Sequence, residues 1–213
     1  MIGMPTFLFT ENLRRKTISV GKITVFKGSM FSGKSTALMA EAKKQSHRGD
    51  IAYCRVNLKI MGMKQSTFNT HMDENGGGIS IKGYEIPKEI DIIKSGLISD
   101  ETIAIFIDEY QFLDVKSIHP QIVSIIKMGI NVYISGLSTD WKGKVFESMA
   151  FACAEADSVV CLTAICDKSK EEATHNWKTG GDYQKRFEQG NHYIPVSRKV
   201  FYQLWDKKSK LRN

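Results

Sequence analysis

The sequence predicts an α/β fold with a largely parallel sheet. Three observations support this fold: short runs rich in β-branched residues alternate with longer amphipathic stretches, the first run leads into a glycine-rich turn, and a later run ends in two carboxylates. Strands that alternate with helices form parallel sheets, because parallel neighbours need a crossover connection. A chain of 213 residues, 42% of them hydrophobic, can bury a core of this kind.

The first half of the chain begins with a strand and a helix. Lys22–Phe26 alternates with β-branched residues and predicts a strand, and Ser35–Arg48 predicts an amphipathic helix that ends at Gly49. Ile51–Val56 predicts a second strand. Residues 57–78 contain few apolar side chains and end in three glycines, so they predict a mobile loop.

The second half repeats the alternation. Ile90–Gly96 predicts a short helix, and Ile103–Ile107 is a continuous apolar run typical of a strand covered on both faces. The remaining predicted elements are a helix at Val115–Met128, a strand at Asn131–Ser135, a helix at Val145–Ala154 and a strand at Ser158–Thr163.

The pattern changes after Thr163. Lys168–Gln189 is polar and charged, with two adjacent glycines and without a helical stripe. We therefore expect three parts: an N-terminal lead over 1–21, an α/β domain over 22–163, and a small C-terminal domain with a basic tail over 164–213.

Composition argues against a membrane protein. The longest apolar runs are of strand length, far below the ~20 residues that a membrane span needs. The apolar stretch near the N-terminus precedes Arg14–Lys16, which is the reverse of a signal peptide, so we expect a cytoplasmic protein. The net charge of +7 suits nucleic acid or a small polyanion such as ATP. Because the basic residues are scattered, with end clusters at Arg14–Lys16 and Lys207–Arg212, nucleic-acid binding is the less favoured alternative.

A phosphate-binding loop is the strongest functional signal. Residues 28–35 match the pattern G-x-x-x-x-G-K-[ST] between a predicted strand and a predicted helix, which is the context that this motif requires. Lys34 would reach the β- and γ-phosphates, and the Ser35 hydroxyl would ligate Mg²⁺. The predicted ATP-binding residues of the loop are Gly28, Ser29, Met30, Phe31, Ser32, Gly33, Lys34 and Ser35.

Two carboxylates support the same site. Asp108 and Glu109 follow an apolar strand, and the carboxyl ends of parallel strands border the ligand crevice. One acid can hold Mg²⁺, and the other can accept a proton from an attacking hydroxyl. These residues leave the acceptor open: water would make the chain an ATPase, and a bound hydroxyl would make it a kinase.

Several motifs together resemble the zinc-containing type II thymidine kinases. The resemblance covers about residues 22–200 in the family's order. Its marks are the Met-Phe pair inside the phosphate loop, Asp-Glu-Tyr-Gln-Phe-Leu at 108–113, Gly136-Leu137 with Trp141 and Phe146, Leu162–Cys166, and the segment Tyr193–Arg198.

The resemblance implies a RecA-like α/β domain and a small lasso-type C-terminal domain that closes over the nucleoside. It also implies transfer of the γ-phosphate of ATP to the 5′-hydroxyl of thymidine or deoxyuridine, in deoxynucleoside salvage for DNA synthesis, and a homotetramer. By position, Glu109 resembles the catalytic base, and Ser35 and Asp108 resemble the Mg²⁺ partners. The implied nucleoside contacts are Met30, Phe112, Leu137, Trp141, Phe146, Asn176 and Tyr193.

The chain departs from the family at its zinc ligands. Where the family has two C-x-x-C pairs, this chain has Cys166–Ser169 and Ser197–Val200, so one cysteine of four is retained. Because one thiolate cannot form a tetrahedral cysteine site, we predict no structural zinc.

The lasso departs as well. Glu188 and Gln189 replace a glycine pair before the lasso tyrosine, and Asn176 stands where a threonine is common. Glycine adopts backbone conformations that other residues resist, so the loop is expected to run differently. An asparagine could also bond an edge of the base that threonine would not.

The leading hypothesis is a zinc-free thymidine kinase. Two alternatives remain open: a phosphate-loop ATPase that uses water, and a nucleotide- or nucleic-acid-binding protein without chemistry. Glu109 argues against the second alternative, because a protein that only binds has less need of a carboxylate at the γ-phosphate.

Overall fold

The computed structural model describes residues 19–70, 77–187 and 192–210, with side chains described as far as residue 208. Most of the predicted N-terminal lead lies outside these ranges, and so do Glu188 and Gln189.

Seven of the described strands form one sheet. They are β1 (Ile23–Gly28), β2 (Asp50–Val56), β3 (Lys64–Asn69), β4 (Ser80–Ile86), β5 (Thr102–Asp108), β6 (Asn131–Gly136) and β7 (Ser158–Leu162). The order across the sheet is β3-β4-β2-β5-β6-β1-β7. The hairpin of β3 and β4 is antiparallel, and the other neighbours are parallel. The predicted α/β fold is therefore confirmed.

Helices cover both faces of the sheet. Helix α1 (Lys34–Gln45) lies on one face and buries Leu38, Met39 and Ala42 against aromatic side chains of the strands. Helices α2 (Val115–Lys127) and α3 (Glu147–Glu155) lie on the other face, over a core rich in isoleucine and valine. Burial on both faces is what the continuous apolar sequence of β5 predicts.

The C-terminal part has its own apolar cluster. Its strands are β8 (Ala164–Ile165), β9 (Glu172–Ala173), β10 (His175–Lys178) and β11 (Tyr193–Val196), followed by helix α4 (Arg198–Lys210). β8 pairs with β9, and β10 pairs with β11, both antiparallel. The buried side chains between these pairs and α4 include Ala164, Cys166, Ala173, Trp177, Val196, Val200 and Phe201.

Two local predictions were wrong. Residues 57–78, predicted as a loop, contain β3, a polar edge strand in which Phe68 is the buried residue. Ile90–Gly96, predicted as a helix, forms turns. Its backbone is held by a side chain of α2, because Ile92 N donates to Gln121 Oε1 at 2.7 Å and Gln121 Nε2 donates to Ile90 O at 3.0 Å.

The parallel arrangement brings several strand ends together. β1, β2, β5 and β6 all end at the same edge of the sheet, and the site described below lies at this edge. Among the helices of the described ranges, none combines the length and apolar character that crossing a bilayer requires.

Candidate active site

The phosphate loop turns the chain sharply between β1 and α1. A Cβ on Gly28 would lie 2.1 Å from Leu162 O in β7, so a larger residue does not fit there. Gly33, which precedes α1, has φ of 80°, and Phe31 has φ of 62° although it is not glycine. Left-handed backbone costs a residue with a Cβ roughly 1–2 kcal/mol. The Phe31 side chain is 70% exposed, so side-chain burial does not hold it in this conformation.

Lys34 and Ser35 begin α1 and face the carboxylates. Lys34 Nζ donates to Ser29 O at 2.6 Å, and Ser35 Oγ donates to Asp108 Oδ1 at 3.1 Å. Burial lowers the pKa of Lys34, and the nearby carboxylates of Glu109 and Asp108 oppose that shift. A partly buried cation at a helix N-terminus is suited to bind phosphate.

Asp108 is the centre of a hydrogen-bond network. Its buried carboxylate accepts from Ser35 Oγ, Ser135 Oγ (2.9 Å), Arg55 Nε (2.9 Å) and the backbone N–H of Glu109 (3.0 Å). These donors fix the carboxylate at the end of β5. Carboxylate and hydroxyl oxygens are groups that bind Mg²⁺ in proteins, so Asp108 and Ser35 could hold such an ion.

Arg55 and Ser135 are site residues that the sequence analysis missed. Burial works against the charge of Arg55, but the adjacent Asp108 carboxylate outweighs it and raises the pKa of the guanidinium. The guanidinium also lies 4.7 Å from the centre of the Phe68 ring. Both residues stand near the carboxyl ends of strands that flank β5, so the rule that identified Asp108 applied to them too.

Glu109 is held in a left-handed conformation, with φ of 59°. Gln111 Nε2 donates to Glu109 Oε2 at 2.5 Å, and Gln111 Oε1 accepts from Leu137 N at 3.1 Å. Burial, followed by the Asp108 carboxylate, raises the pKa of Glu109, while the bond from Gln111 and the charge of Lys34 oppose the rise. A carboxylate with a raised pKa at the end of a strand is suited to accept a proton.

An aromatic group lies next to these carboxylates. The Phe112 ring lies 6.3 Å from that of Phe146, nearly perpendicular to it, and 4.4 Å from that of Phe187. Phe187 in turn stacks on Tyr193 at 5.9 Å. Four of the predicted nucleoside contacts belong to one apolar cluster or pack against it: Met30, Phe112, Leu137 and Phe146.

Phe187 was also missed in the sequence analysis. It lies in a charged segment without periodicity, so no sequence pattern indicated that it belongs to this aromatic group. Its neighbour Arg186 fixes that segment to the α/β part. Arg186 Nε donates to Asp140 Oδ2 at 2.8 Å, and its guanidinium lies 4.4 Å from the centre of the Phe146 ring.

Trp141 lies in a different aromatic group. Its buried ring makes edge contacts with Trp177 at 6.4 Å and Tyr183 at 5.5 Å, and it lies 6.4 Å from Trp205. Its Nε1 donates to Lys185 O at 3.3 Å. These contacts place Trp141 among side chains of the C-terminal part, apart from the ring contacts that Phe112 makes.

Asn176 contacts the phosphate loop. Its Oδ1 accepts from Met30 N at 2.7 Å, and one residue earlier in the loop Ser29 Oγ donates to Ala173 O at 2.7 Å. The family resemblance implied that Asn176 contacts the base, and nothing in the sequence indicated that it would bond to Met30, 146 positions earlier.

The four positions of the family's zinc ligands do not fit zinc in this chain. They hold the buried thiol of Cys166, the hydroxyls of Ser169 and Ser197, which bond to each other at 3.0 Å, and the hydrocarbon side chain of Val200. Burial would raise the pKa of the Cys166 thiol, but hydrogen bonds from Ser169 and from nearby backbone N–H groups lower it to about 7. Within the described part of the chain, no cluster of three or more histidine, cysteine or acidic residues could hold a metal ion.

We expect zinc removal to leave the protein unchanged. Dialysis against a zinc-selective chelator should not move the midpoint of thermal unfolding, and metal analysis should find no stoichiometric zinc. The matched variant carries Ser169→Cys, Ser197→Cys and Val200→Cys, and it should bind zinc and become sensitive to the chelator. A fall in the midpoint of the natural chain that zinc reverses would contradict this prediction.

The family model and the relatives named below all indicate the same protein family. The family model described as thymidine kinase matches residues 21–201. A thymidine kinase of Ureaplasma parvum serovar 3 is 33% identical over 161 residues, which are 74% of this chain and 69% of that protein. One from Mycoplasma mobile is 33% identical over 172 residues (79% and 80%), and one from Bacteroides thetaiotaomicron is 30% identical over 198 residues (91% and 94%).

Proposed function

The chain belongs to the thymidine kinase family, and we infer that it transfers the γ-phosphate of ATP to the 5′-hydroxyl of thymidine. Deoxyuridine, which lacks the 5-methyl group, is the alternative acceptor. The position of Glu109 is the observation that assigns this function to particular residues. Glu109 is a carboxylate with a raised pKa, and it lies beside Lys34 and the phosphate loop.

The phosphate loop binds ATP in this proposal. Residues 28–35 would surround the phosphates, and Lys34, which donates to Ser29 O, would bind the β- and γ-phosphates. Ser35 and Asp108 would hold Mg²⁺, which when bound neutralises charge on the transferring phosphoryl group. Arg55 and Ser135 keep the Asp108 carboxylate in one orientation.

Glu109 acts as the general base. It would accept the proton of the nucleoside 5′-hydroxyl as that oxygen attacks the γ-phosphate. Gln111 fixes the carboxylate through one of its two oxygens, and burial raises the affinity of the carboxylate for a proton. The strained backbone at Glu109 is consistent with a catalytic position, because strain of this kind is retained where the surrounding structure enforces it.

The aromatic group supplies the base pocket. Phe112 would stack on the flat base, with Met30, Leu137 and Phe146 as apolar walls. Tyr193 would close the pocket together with Phe187, on which it stacks. We retain the other two predicted contacts as proposals of the same kind: Trp141 as an outer wall and Asn176 as a polar contact to the base.

The acid limb of the pH profile should report Glu109. Only the ionised carboxylate can accept a proton, so kcat should fall as the pH drops through the raised pKa, with a midpoint above the ordinary glutamate value of 4.5. The charged groups facing Glu109 are Asp108, Lys34 and Arg55. Gln111→Met removes a bond that favours the ionised form and should move the midpoint to higher pH. A profile that is flat down to pH 5 in both proteins would contradict the assignment.

The family resemblance suggests the assembly, and the location is a separate proposal. We propose a homotetramer, which light scattering of the purified protein would test. We also propose that the enzyme works in the cytoplasm, where ATP and salvaged nucleosides are both available.

A nucleoside panel tests the function. The assay supplies ATP and Mg²⁺ with thymidine, deoxyuridine, deoxycytidine or a purine deoxynucleoside, and it includes a control without nucleoside. Phosphorylation of thymidine, with or without deoxyuridine, is the expected result. Phosphorylation of another nucleoside alone would overturn the substrate assignment, and phosphate release in the control alone would show an ATPase.

A further inference from the structure

Two consecutive residues of the phosphate loop are bonded to the C-terminal part of the chain. Ser29 Oγ donates to Ala173 O in β9, and Met30 N donates to Asn176 Oδ1 in β10, each at 2.7 Å. The side chains that make these bonds are 1% exposed at Ser29 and 4% exposed at Asn176. The Ser29 bond is buried and the Met30 bond is partly buried, so losing either would leave a polar group that is shielded, at least in part, from water without a partner.

The strand pair that carries Asn176 has two faces. Trp177 and Val196 point toward α4, and the His175 ring lies 4.7 Å from that of Phe201. Side chains alternate along a strand, so Asn176 projects from the opposite face, toward the loop. Packing against α4 therefore fixes the strand that presents Asn176.

The two bonds lie directly before the strained position of the loop. Phe31 follows Met30, has φ of 62° and is mostly exposed, so its own side chain contributes little to holding it. A non-glycine residue keeps such a conformation only where its surroundings enforce it. The bonds at Ser29 and Met30 restrain the backbone on the N-terminal side of Phe31, and α1 restrains it on the C-terminal side.

We propose that Ser29 and Asn176 are positioning residues that clamp the phosphate loop in its ATP-binding conformation. Without either bond, part of the population would relax to other loop conformations, and the apparent Kd for ATP would rise in proportion to the competent fraction lost. By the same coupling, nucleotide bound at the loop should stabilise β9 and β10. The proposal rests on the proposed function for its kinetic readout, whereas the binding readouts are independent of turnover.

Nucleotide binding tests the clamp directly. Calorimetry with a non-hydrolysable ATP analogue and Mg²⁺ should show Kd raised about five- to tenfold by Ser29→Ala and by Asn176→Ala, the usual effect of losing one buried hydrogen bond. Thr174→Ala is the matched control, because the exposed Thr174 hydroxyl pairs with His175 Nδ1 and not with the loop. It should leave Kd unchanged. At saturating ATP, the KM for thymidine should stay within about twofold in Ser29→Ala and Thr174→Ala, neither of which changes a proposed nucleoside contact.

Hydrogen exchange separates positioning from general loss of stability. The Met30 N–H should exchange slowly in the natural chain and rapidly in Asn176→Ala. Asn176→Asp keeps an oxygen acceptor and should restore slow exchange at Met30. If Asn176→Ala merely destabilised the C-terminal part, exchange would become faster at backbone amides across β10 and β11. Asn176→Asp would then not restore slow exchange at Met30 alone.

Two outcomes would overturn the clamp. A raised KM for thymidine in Asn176→Ala, with Kd for the nucleotide unchanged, would assign Asn176 to the base alone. Unchanged Kd and unchanged exchange at Met30 in both alanine variants would show that the two bonds do not position the loop. If the natural chain binds nucleotide but phosphorylates no nucleoside, the proposed function fails, and the binding and exchange results still decide the clamp.

Discussion

Glu109→Gln should bind ATP with nearly unchanged affinity and lower kcat by roughly 10²–10⁴, the usual contribution of a general base. Glutamine has the same shape and retains an oxygen for the bond from Gln111 Nε2, so the site should keep its geometry. What it loses is the ability to accept the proton of the nucleoside hydroxyl. Steady-state kinetics give kcat, and calorimetry with a non-hydrolysable analogue gives the affinity.

The matched control for this variant is Glu101→Gln. Glu101 is exposed and precedes β5 at the end opposite Glu109, so its change removes one carboxylate without touching the site. Its kcat should equal that of the natural chain. Near-normal kcat in Glu109→Gln would remove Glu109 from the mechanism, and a large fall in both variants would point to loss of folded protein.

Lys34→Ala should weaken ATP binding and lower turnover. A charge-assisted hydrogen bond to phosphate is worth about 1.5–3 kcal/mol, which corresponds to a rise in Kd of roughly 10- to 100-fold. The fall in kcat/KM should be larger, because the same charge stabilises the transferring phosphoryl group. The variant also loses the bond from Lys34 Nζ to Ser29 O, so the loop itself should be less ordered.

Lys43→Ala is the matched control for Lys34→Ala. Lys43 is an exposed lysine of the same helix, and its removal changes the net charge equally. It should leave Kd and kcat unchanged. Calorimetry would contradict the role of Lys34 if its alanine variant bound the nucleotide as tightly as the Lys43→Ala protein.

Local sequence signals were sufficient for the centre of the fold and of the site. The phosphate loop has a fixed spacing between a strand and a helix, and β5 is a continuous apolar run that ends in Asp108 and Glu109. Such signals depend on neighbours in sequence, so they can be read without knowing the tertiary structure. The predicted positions of α2, β6 and β7 depend on the same kind of periodicity and were confirmed.

Elements stabilised by distant partners were not predictable in this way. β3 is mostly polar and becomes a strand by pairing with β4. Ile90–Gly96 has helical spacing, but Gln121 of α2 bonds its backbone in another conformation. Helix α4 could have been predicted from the sequence, since Val200, Phe201 and Leu204 follow a helical period. Its lysine-rich end led instead to the interpretation of a basic tail.

The same division applies to the site. Arg55 and Ser135 lie near the carboxyl ends of parallel strands, so they could have been predicted by the rule that identified Asp108, but they were overlooked. Phe187 and the contact of Asn176 with Met30 depend on how the C-terminal part lies against the α/β part, which no short motif encodes. Tertiary contacts between segments about 75 to 150 residues apart decide which side chains complete the proposed pocket.

The most direct test of this account follows the label from [γ-³²P]ATP in the presence of thymidine and Mg²⁺. We expect the label on the 5′-oxygen of thymidine monophosphate, free phosphate no higher than the level seen without nucleoside, and a transfer rate that Glu109→Gln lowers by roughly 10²–10⁴. Label released as inorganic phosphate at a rate independent of thymidine would contradict it, because the acceptor would then be water.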